Sequence, residues 1–363
     1  MHKTKKIALD TEADSLHHYY AKVCLVQLSL DGKNFIIDTL TGMDLSDFMR
    51  LLANKPLVLH GADYDLRMLR ISFGFRPKRE VFDTMLAAQI LGYEQFSLVA
   101  LVQRFVGVIL YKRGQKSDWS RRPLSKDQLQ YAIGDTRYLE SLSDMLQNEL
   151  IRLGRIDWFR ETCENMVEST AQNKTVRNHD SAWRIKGWSK LERRELNFLR
   201  QLWHWRENEA RKADRPPFKI MNNKDLMNLA IWVASHPRDS LKDGPKLPRH
   251  FTGRRLGSLK AVIKQTRTMP KSMWPEYRKR GYPWYLETDY KTEVATLQTE
   301  CSRIASELGI ASSVIATRAA LENLVRNQPK TIDEMMACGP MMRWQAELLS
   351  PKILPLLTNL NNE

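Results

Sequence analysis

The sequence predicts an α/β domain with a mixed sheet at the front of the chain, followed by all-α helical domains. Three observations predict it. Short apolar, strand-like runs gather between residues 6 and 60. Helical patterns take over from about Asp83 and persist, with interruptions, to the end. The positive charge is confined to one internal block: residues 184–280 hold 25 Lys and Arg against nine Asp and Glu, a net of +16 in a chain that totals +15.

In chain order, Lys6-Ile7-Ala8-Leu9-Asp10 is a short apolar strand and Val23 to Leu30 a second. Asp31-Gly32 is a strong turn signal, followed by Phe35-Ile36-Ile37. Leu45 to Asn54 reads as an amphipathic helix, Pro56 to His60 as a short buried strand, and Tyr64 to Ile71 as a helix. Leu86, Ile90 and Leu91, then Leu98, Leu101, Val102 and Phe105, make helical stripes. The α/β domain is expected to span 1–155, with a linker at 156–187. The next stripe is Leu191, Leu196, Leu199, Leu202 and Trp203, and Pro216-Pro217 should stop that helix. Leu226, Leu229 and Ala230 open another helix, and Ser258 to Ile263 a further one. A basic, loop-rich passage at 264–285 holds Pro270, Pro275 and Pro283, and residues 291–357 are again helical and weakly acidic.

At 363 residues the chain fits two or three domains, and 42% hydrophobic with 27% charged residues is the composition of a folded, soluble protein. No apolar run approaches the roughly 20 residues that a membrane span needs. The apolar stretch after the basic start is only Ile7-Ala8-Leu9, too short for a signal peptide. Cys24, Cys163, Cys301 and Cys338 are far apart and form no C-x-x-C pair. A reducing cytoplasm is the expected location. A Gly-rich phosphate loop and a Walker lysine are both absent, so nucleotide-cofactor readings have no support. The basic block is the footprint of a polyanion, and nucleic acid is the expected partner.

Several carboxylates stand out, each with a bland alternative. Asp10 and Glu12 are two apart on a strand and share a face. Side by side they repel, which a divalent cation would relieve, and oxygen-only ligands select Mg²⁺ or Mn²⁺. Equally, D-x-E can be a polar strand end meeting solvent. Asp65, in His60-Gly61-Ala62-Asp63-Tyr64-Asp65, falls in the first turn of a helix, where an acid also complements the helix dipole. Tyr131 and Asp135 are i and i+4 on one helix face, placed to hold a water or simply to pair on a surface.

Together, D-x-E, H-G-x-x-x-D and Y-x-x-x-D in this order resemble the DEDD exonuclease superfamily in its tyrosine-bearing (DEDDy) branch. The surrounding words are Cys24-Leu25-Val26-Gln27-Leu28-Ser29, Phe82-Asp83-Thr84 and Asp118-Trp119-Ser120-Arg121-Arg122-Pro123-Leu124. That wording is similar to the ribonuclease D family over about residues 5–150. The resemblance implies a ribonuclease H-like exonuclease fold. It makes Asp10, Glu12, Asp65 and Asp135 the acidic ligands of two divalent ions, Mg²⁺ or Mn²⁺, with Asp10 bridging both. Tyr131 would orient the attacking water, and each cycle would release a nucleoside 5′-monophosphate. Asp63 does not fall on the family's aspartate position, and His60 and Asp83 are expected to be structural neighbours.

Leu199-Arg200-Gln201-Leu202-Trp203-His204-Trp205-Arg206-Glu207 and Glu209 to Phe218 make residues 188–268 resemble an HRDC domain. Arg211, Lys212, Arg215 and Lys219 are the candidates for contacts to the nucleic-acid backbone, although some of these arginines could instead pack on Trp203 or pair with Glu207. Trp203 itself is expected in the core. Residues 288–360 stand where a second HRDC-like domain occurs in bacterial members of the family. The expected function is a 3′-5′ exoribonuclease that trims tRNA precursors with single-stranded 3′ ends, acting as a monomer. A DNA 3′-5′ exonuclease is the alternative reading, and a catalytically inactive RNA-binding protein a third.

Overall fold

Five strands form a single mixed sheet in the order β3-β2-β1-β4-β5. The computed structural model describes residues 5–111, 114–171, 179–276 and 286–360. β1 (Ile7–Ala13) pairs antiparallel with β2 (Val23–Leu30), which pairs antiparallel with β3 (Lys33–Asp38). On its other side β1 runs parallel to β4 (Leu57–Leu59), and β4 parallel to β5 (Val81–Asp83). The β2–β3 hairpin turns at Asp31 and Gly32, with φ of 49° and 73°, the two positive values that a D-G dipeptide supplies. Every residue of β2 is buried, whereas β3 is the partly exposed edge. The sequence reading has no counterpart of β5, because three residues running straight into a helix show no alternation.

Among the described residues the front of the chain continues with α1 (Ser46–Ala53), α2 (Ala62–Phe73), α3 (Thr84–Leu91), α4 (Leu98–Val106), α5 (Lys126–Arg137), α6 (Leu139–Arg152) and α7 (Ile156–Ala171). α5 packs on β1, β2 and β3, and the Ser29 hydroxyl on β2 donates to Thr136 Oγ1 on α5 at 2.7 Å. α7 corrects the expected linker. It buries Phe159 and Cys163 with Ile90, Leu142 and Leu146, so residues 156–171 extend the first domain. Of the remaining linker, residues 172–178 lie outside the described residues, as do 277–285 of the basic passage.

The later helices are α8 (His179–Ala182), α9 (Arg193–Lys212), α10 (Pro217–Ile220), α11 (Asn223–Ser235), α12 (Gly253–Arg267), α13 (Leu286–Leu308), α14 (Ser312–Ile315), α15 (Arg318–Asn327), α16 (Ile332–Ala337) and α17 (Arg343–Leu360). Pro216-Pro217 does follow the end of α9, and Pro217 opens α10, a position where the missing N–H costs nothing. The chain divides into two compact units. One contains the sheet, α1–α7 and α13–α17; the other contains α8–α12 together with the segment Asp14–Lys22 that links β1 to β2.

Within the first unit the C-terminal helices are built onto the sheet-bearing part. Glu161 on α7 accepts backbone N–H groups of Arg343 (2.5 Å) and Trp344 (3.0 Å), capping the start of α17. Trp158 and Trp344 stack with ring centroids 4.8 Å apart. Arg155 donates to the carbonyls of Ile90 and Leu308. Gly92, at φ 91°, sits so close to the next layer that a Cβ there would lie 1.9 Å from the Gly309 carbonyl oxygen. Backbone cannot step aside cheaply, so Gly92→Ala should lower stability by about 2 kcal/mol. A shift of the urea midpoint to lower concentration checks this; an unchanged midpoint would show that the layers are not locked here.

The second unit has its own core of Trp183, Phe198, Leu202, Trp203, Leu229 and Leu259, with Tyr19 of the Asp14–Lys22 segment packed against it. Among the described residues no helix is long and apolar enough to cross a membrane.

Candidate active site

β1 pairs with β4 only at Ile7 and Ala8, and β4 stops at Leu59. Asp10 and Glu12 therefore lie beyond β4, at the carboxyl end of the strands, where α/β sheets place their ligands. The pairing of β1 with β2 shifts register between Glu12 and Ala13, an irregularity of the kind that re-aims side chains beside active sites.

α5 delivers the next two groups. Ser125 caps it, in a reciprocal box with Gln128. Tyr131 and Asp135 follow one turn apart, and the Tyr131 hydroxyl hydrogen-bonds the Asp135 carboxylate. Asp10, Glu12 and Asp135 present oxygens that all lie within 4.8 Å of one another. Asp65 stands outside this trio and is held from the side: the Thr11 hydroxyl donates to its Oδ1 at 2.5 Å and the Thr11 N–H at 3.2 Å. It is close enough for its charge to bear on Asp10 and Glu12.

The electrostatics follow from gathering like charges in a partly buried site, with Asp65 the most enclosed. Burial pushes Asp10 well above the usual carboxylate range, and the charges of Asp65, Asp135 and Glu12 add to it. Glu12 is raised to about 9 by burial and then by Asp135 and Asp65. Burial takes Asp65 to about 7 against the hydrogen bonds from Thr11, and Asp135 to about 7 against the one from Tyr131. The Tyr131 phenol is raised by burial and by the acids around it, so it stays protonated. An all-carboxylate cluster under this strain fits a hard divalent cation, which would neutralise the repulsion and take oxygen donors only.

Neighbouring residues explain how the carboxylates are held. Asp83, almost wholly buried, accepts from the N–H groups of Gly61 (2.9 Å) and Ala62 (2.8 Å) at the start of α2, and from Met85 (2.8 Å) and Leu86 (3.4 Å) at the start of α3. One carboxylate thus caps two helices and anchors the turn that carries Asp65. His60 Nδ1 lies 2.9 Å from Thr84 Oγ1, and Asp63 pairs with Arg67 on the exposed side of α2. Asp83→Ala should cost about 3 kcal/mol of stability, because four N–H groups at two helix starts, one of them buried and three part-buried, lose their acceptor. Asp83→Asn, which keeps an acceptor oxygen, should restore part of it in urea unfolding; equal losses in both variants would deny the capping role.

The segment before α5 fixes the tyrosine. Trp119 is buried and tilts against Tyr131 at 6.0 Å between ring centroids. Arg122 grips Asp38 through Nε and Nη2, at 2.5 and 2.6 Å, and donates to the carbonyls of Trp119 and Cys24. Asp83 is the structural neighbour that the sequence reading expects, and its capping of two helices is what the structure adds. Thr11, Trp119 and Arg122 have no supporting role in that reading, although the Asp118–Leu124 run stands out as a word.

Comparisons with known proteins agree with this geometry. A 3′-5′ exonuclease family model matches residues 1–151, and an HRDC domain model residues 195–232. Ribonuclease D of Granulibacter bethesdensis is 31% identical over 284 residues, covering 74% of this chain and 68% of that protein. The chain belongs to the ribonuclease D family. Ribonuclease D of Nitrobacter hamburgensis, at 28% identity, aligns with 96% of this chain and 89% of its own length. The crystal structure of Escherichia coli RNase D shares the fold, with a TM-score of 0.71 over 98% of this chain and 93% of that one at 22% identity. The protein is accordingly a 3′-5′ exoribonuclease with an α/β exonuclease domain and a helical HRDC region.

In the HRDC unit Arg211, Lys212, Arg215 and Lys219 are all exposed. Three of them have neighbours within the unit. The Arg211 guanidinium lies 5.6 Å from the centre of the Tyr19 ring, Lys212 Nζ 3.9 Å from Glu209, and Lys219 Nζ 3.4 Å from His17 Nδ1. Trp203 is in the core as expected, and Glu207 pairs with Arg206 at 3.6 Å. A pocket of about 340 Å³ beside Lys212 adds His250, Arg254 and Arg255, which the HRDC wording did not single out.

Proposed function

We propose that Asp10, Glu12, Asp65 and Asp135 hold two divalent ions, Mg²⁺ or Mn²⁺, and that the chain trims single-stranded 3′ ends of tRNA precursors, releasing nucleoside 5′-monophosphates. The observation that carries this reading is the gathering of Asp10, Glu12 and Asp135 oxygens within 4.8 Å, all with raised pKa values. When bound, the ions would supply an activated water and neutralise charge on the departing 3′ oxygen. Tyr131, kept protonated, is unsuited to act as a base at neutral pH; its hydroxyl orients the attacking water, and Asp135 fixes the ring's donor direction. Thr11 keeps the Asp65 carboxylate turned to one rotamer.

The experiment compares 3′-labelled single-stranded RNA and DNA, with Mg²⁺, Mn²⁺ or chelator. Mononucleotide release from RNA alone, abolished by chelator, is expected; equal rates on DNA would replace RNA by DNA in this reading, and no release from either would remove the catalytic role. Adding tRNA precursors with extended 3′ ends tests the substrate: trimming no faster than on unrelated RNA would overturn that part.

Residues 188–268 and 288–360 are read as an HRDC and an HRDC-like module, the first gripping the RNA backbone through Arg211, Lys212, Arg215 and Lys219. Replacing all four by alanine should weaken RNA binding and flatten its salt dependence by up to about 3 in the log–log slope, at roughly 0.7 per phosphate contact on single strands. An unchanged slope would place the grip elsewhere. We further infer a monomer in the cytoplasm. The free thiols of Cys24, Cys163, Cys301 and Cys338, three of them buried, support a reducing compartment.

A further inference from the structure

β2 carries a polar side chain that the chemistry of the carboxylates does not use. Gln27 lies directly opposite Asp10 in the antiparallel β1–β2 pair. Residues opposed in this way project from the same face with Cβ atoms about 4.5–5.5 Å apart. Gln27 therefore shares the face of Asp10 and Glu12, the face on which Ser29 reaches Thr136 of α5. Its side chain is 0% exposed, and among the described residues neither Oε1 nor Nε2 has a hydrogen-bond partner.

That arrangement is costly in a buried strand that is apolar apart from Gln27 and Ser29. A primary amide brings two donor hydrogens and an acceptor, and burying them unmet disfavours folding. Methionine or leucine would fill similar space with nothing to satisfy. Ser29, two residues along, shows that this face can supply partners, since its hydroxyl contacts both Asn34 and Thr136. A local loss of stability beside a reactive centre is the pattern of a residue kept for function.

The carboxylates suggest what the amide is for. Asp65 takes a side-chain hydrogen bond from Thr11, and Asp135 one from Tyr131. The hydrogen bond described for Asp10 comes from a backbone N–H, that of Thr11. Carboxylates that ligate metals are themselves held by donors, and loss of such a donor weakens metal binding. We propose that Gln27 is the positioning residue for Asp10, its Nε2 donating to the Asp10 carboxylate when the metal centre is loaded. The proposal rests on the reading of Asp10 as a metal ligand.

Gln27→Met in the full chain separates this from a structural role. Expected are an apo-protein urea midpoint equal to or above that of the wild type, Mn²⁺ binding weakened about 10- to 100-fold by electron paramagnetic resonance titration, and a lower kcat at subsaturating metal with little change in KM. A lower midpoint with unchanged Mn²⁺ affinity would make Gln27 merely structural and overturn the proposal. If Gln27→Met does not fold, Gln27→Leu is held to the same two readouts, and failure of both to fold overturns it as well. Asp10→Asn is the control. If it binds Mn²⁺ as the wild type does, the metal reading fails; if it loses Mn²⁺ while Gln27→Met keeps it, only the role of Gln27 fails.

Discussion

Asp10→Asn should lower kcat by more than about 100-fold while leaving the metal-free protein at least as stable as the wild type. The first half follows from position. Asp10 is the acid on which all the others bear: Asp65, Asp135 and Glu12 each raise its pKa. Loss of a group that merely orients a ligand costs metal sites about 10- to 100-fold, and loss of Asp10, proposed above as a ligand itself, should exceed that. The second half follows from what the apo site lacks. The amide has the shape of the carboxylate without its charge, so it removes one repelling member from a partly buried cluster. Any gain should grow with pH, because the wild-type acid becomes harder to keep neutral. Single-turnover kinetics with labelled RNA and urea unfolding in chelator test the two halves separately. A variant that is inactive because it is unfolded would contradict this expectation, and so would one retaining a tenth of wild-type kcat.

Local rules made part of this site legible. Residues i and i+2 on a strand put Asp10 and Glu12 together, and i and i+4 on a helix put Tyr131 beside Asp135, with no knowledge of the rest of the chain needed. The D-G turn was readable for the same reason, since two positive φ values are a property of those two residues. Contacts between distant residues left no such trace. Thr11 meets Asp65 across 54 positions, and nothing in a threonine between two acids announces that it will hold a third. Asp83 caps α2 from 21 and 22 residues further along the chain. The segment Asp14–Lys22 belongs with helices some 190 residues later, where His18 and the Tyr19 N–H meet Asp214. Composition alone made 156–171 look like a linker, because α7 spreads its few buried positions among polar ones and packs by virtue of its partners. The charge map put the basic block at residues 184–280, inside the second unit, but was silent on which of its cations face Tyr19, His17 or Glu209.

The metal-free protein should lose stability as pH rises from about 4 to about 9, and saturating Mg²⁺ should reverse most of that loss. In the unfolded chain Asp and Glu titrate near 4. In the native site Asp65 and Asp135 hold their protons to about 7 and Glu12 to about 9, burial being the largest cause for each. Below about pH 4 both states are protonated and the cluster makes no demand. Between there and pH 9 the native state retains protons that the unfolded state has released, so the slope of unfolding free energy with pH is negative. Each carboxyl that keeps its proton to a higher pH when folded than when unfolded subtracts stability across that window, and because the three act through one another's charges their losses do not simply add. A divalent ion requires the carboxylates unprotonated, so its affinity rises over the same window and its stabilisation grows as RT ln(1 + [L]/Kd). Unfolding midpoints measured at pH 5, 7 and 9, in chelator and in Mg²⁺, should therefore diverge with pH, and the gap should shrink in Asp135→Asn. Midpoints that rise with pH in chelator would mean that the carboxylates are already neutralised by the protein itself. The site would then have no electrostatic reason to take up a metal ion.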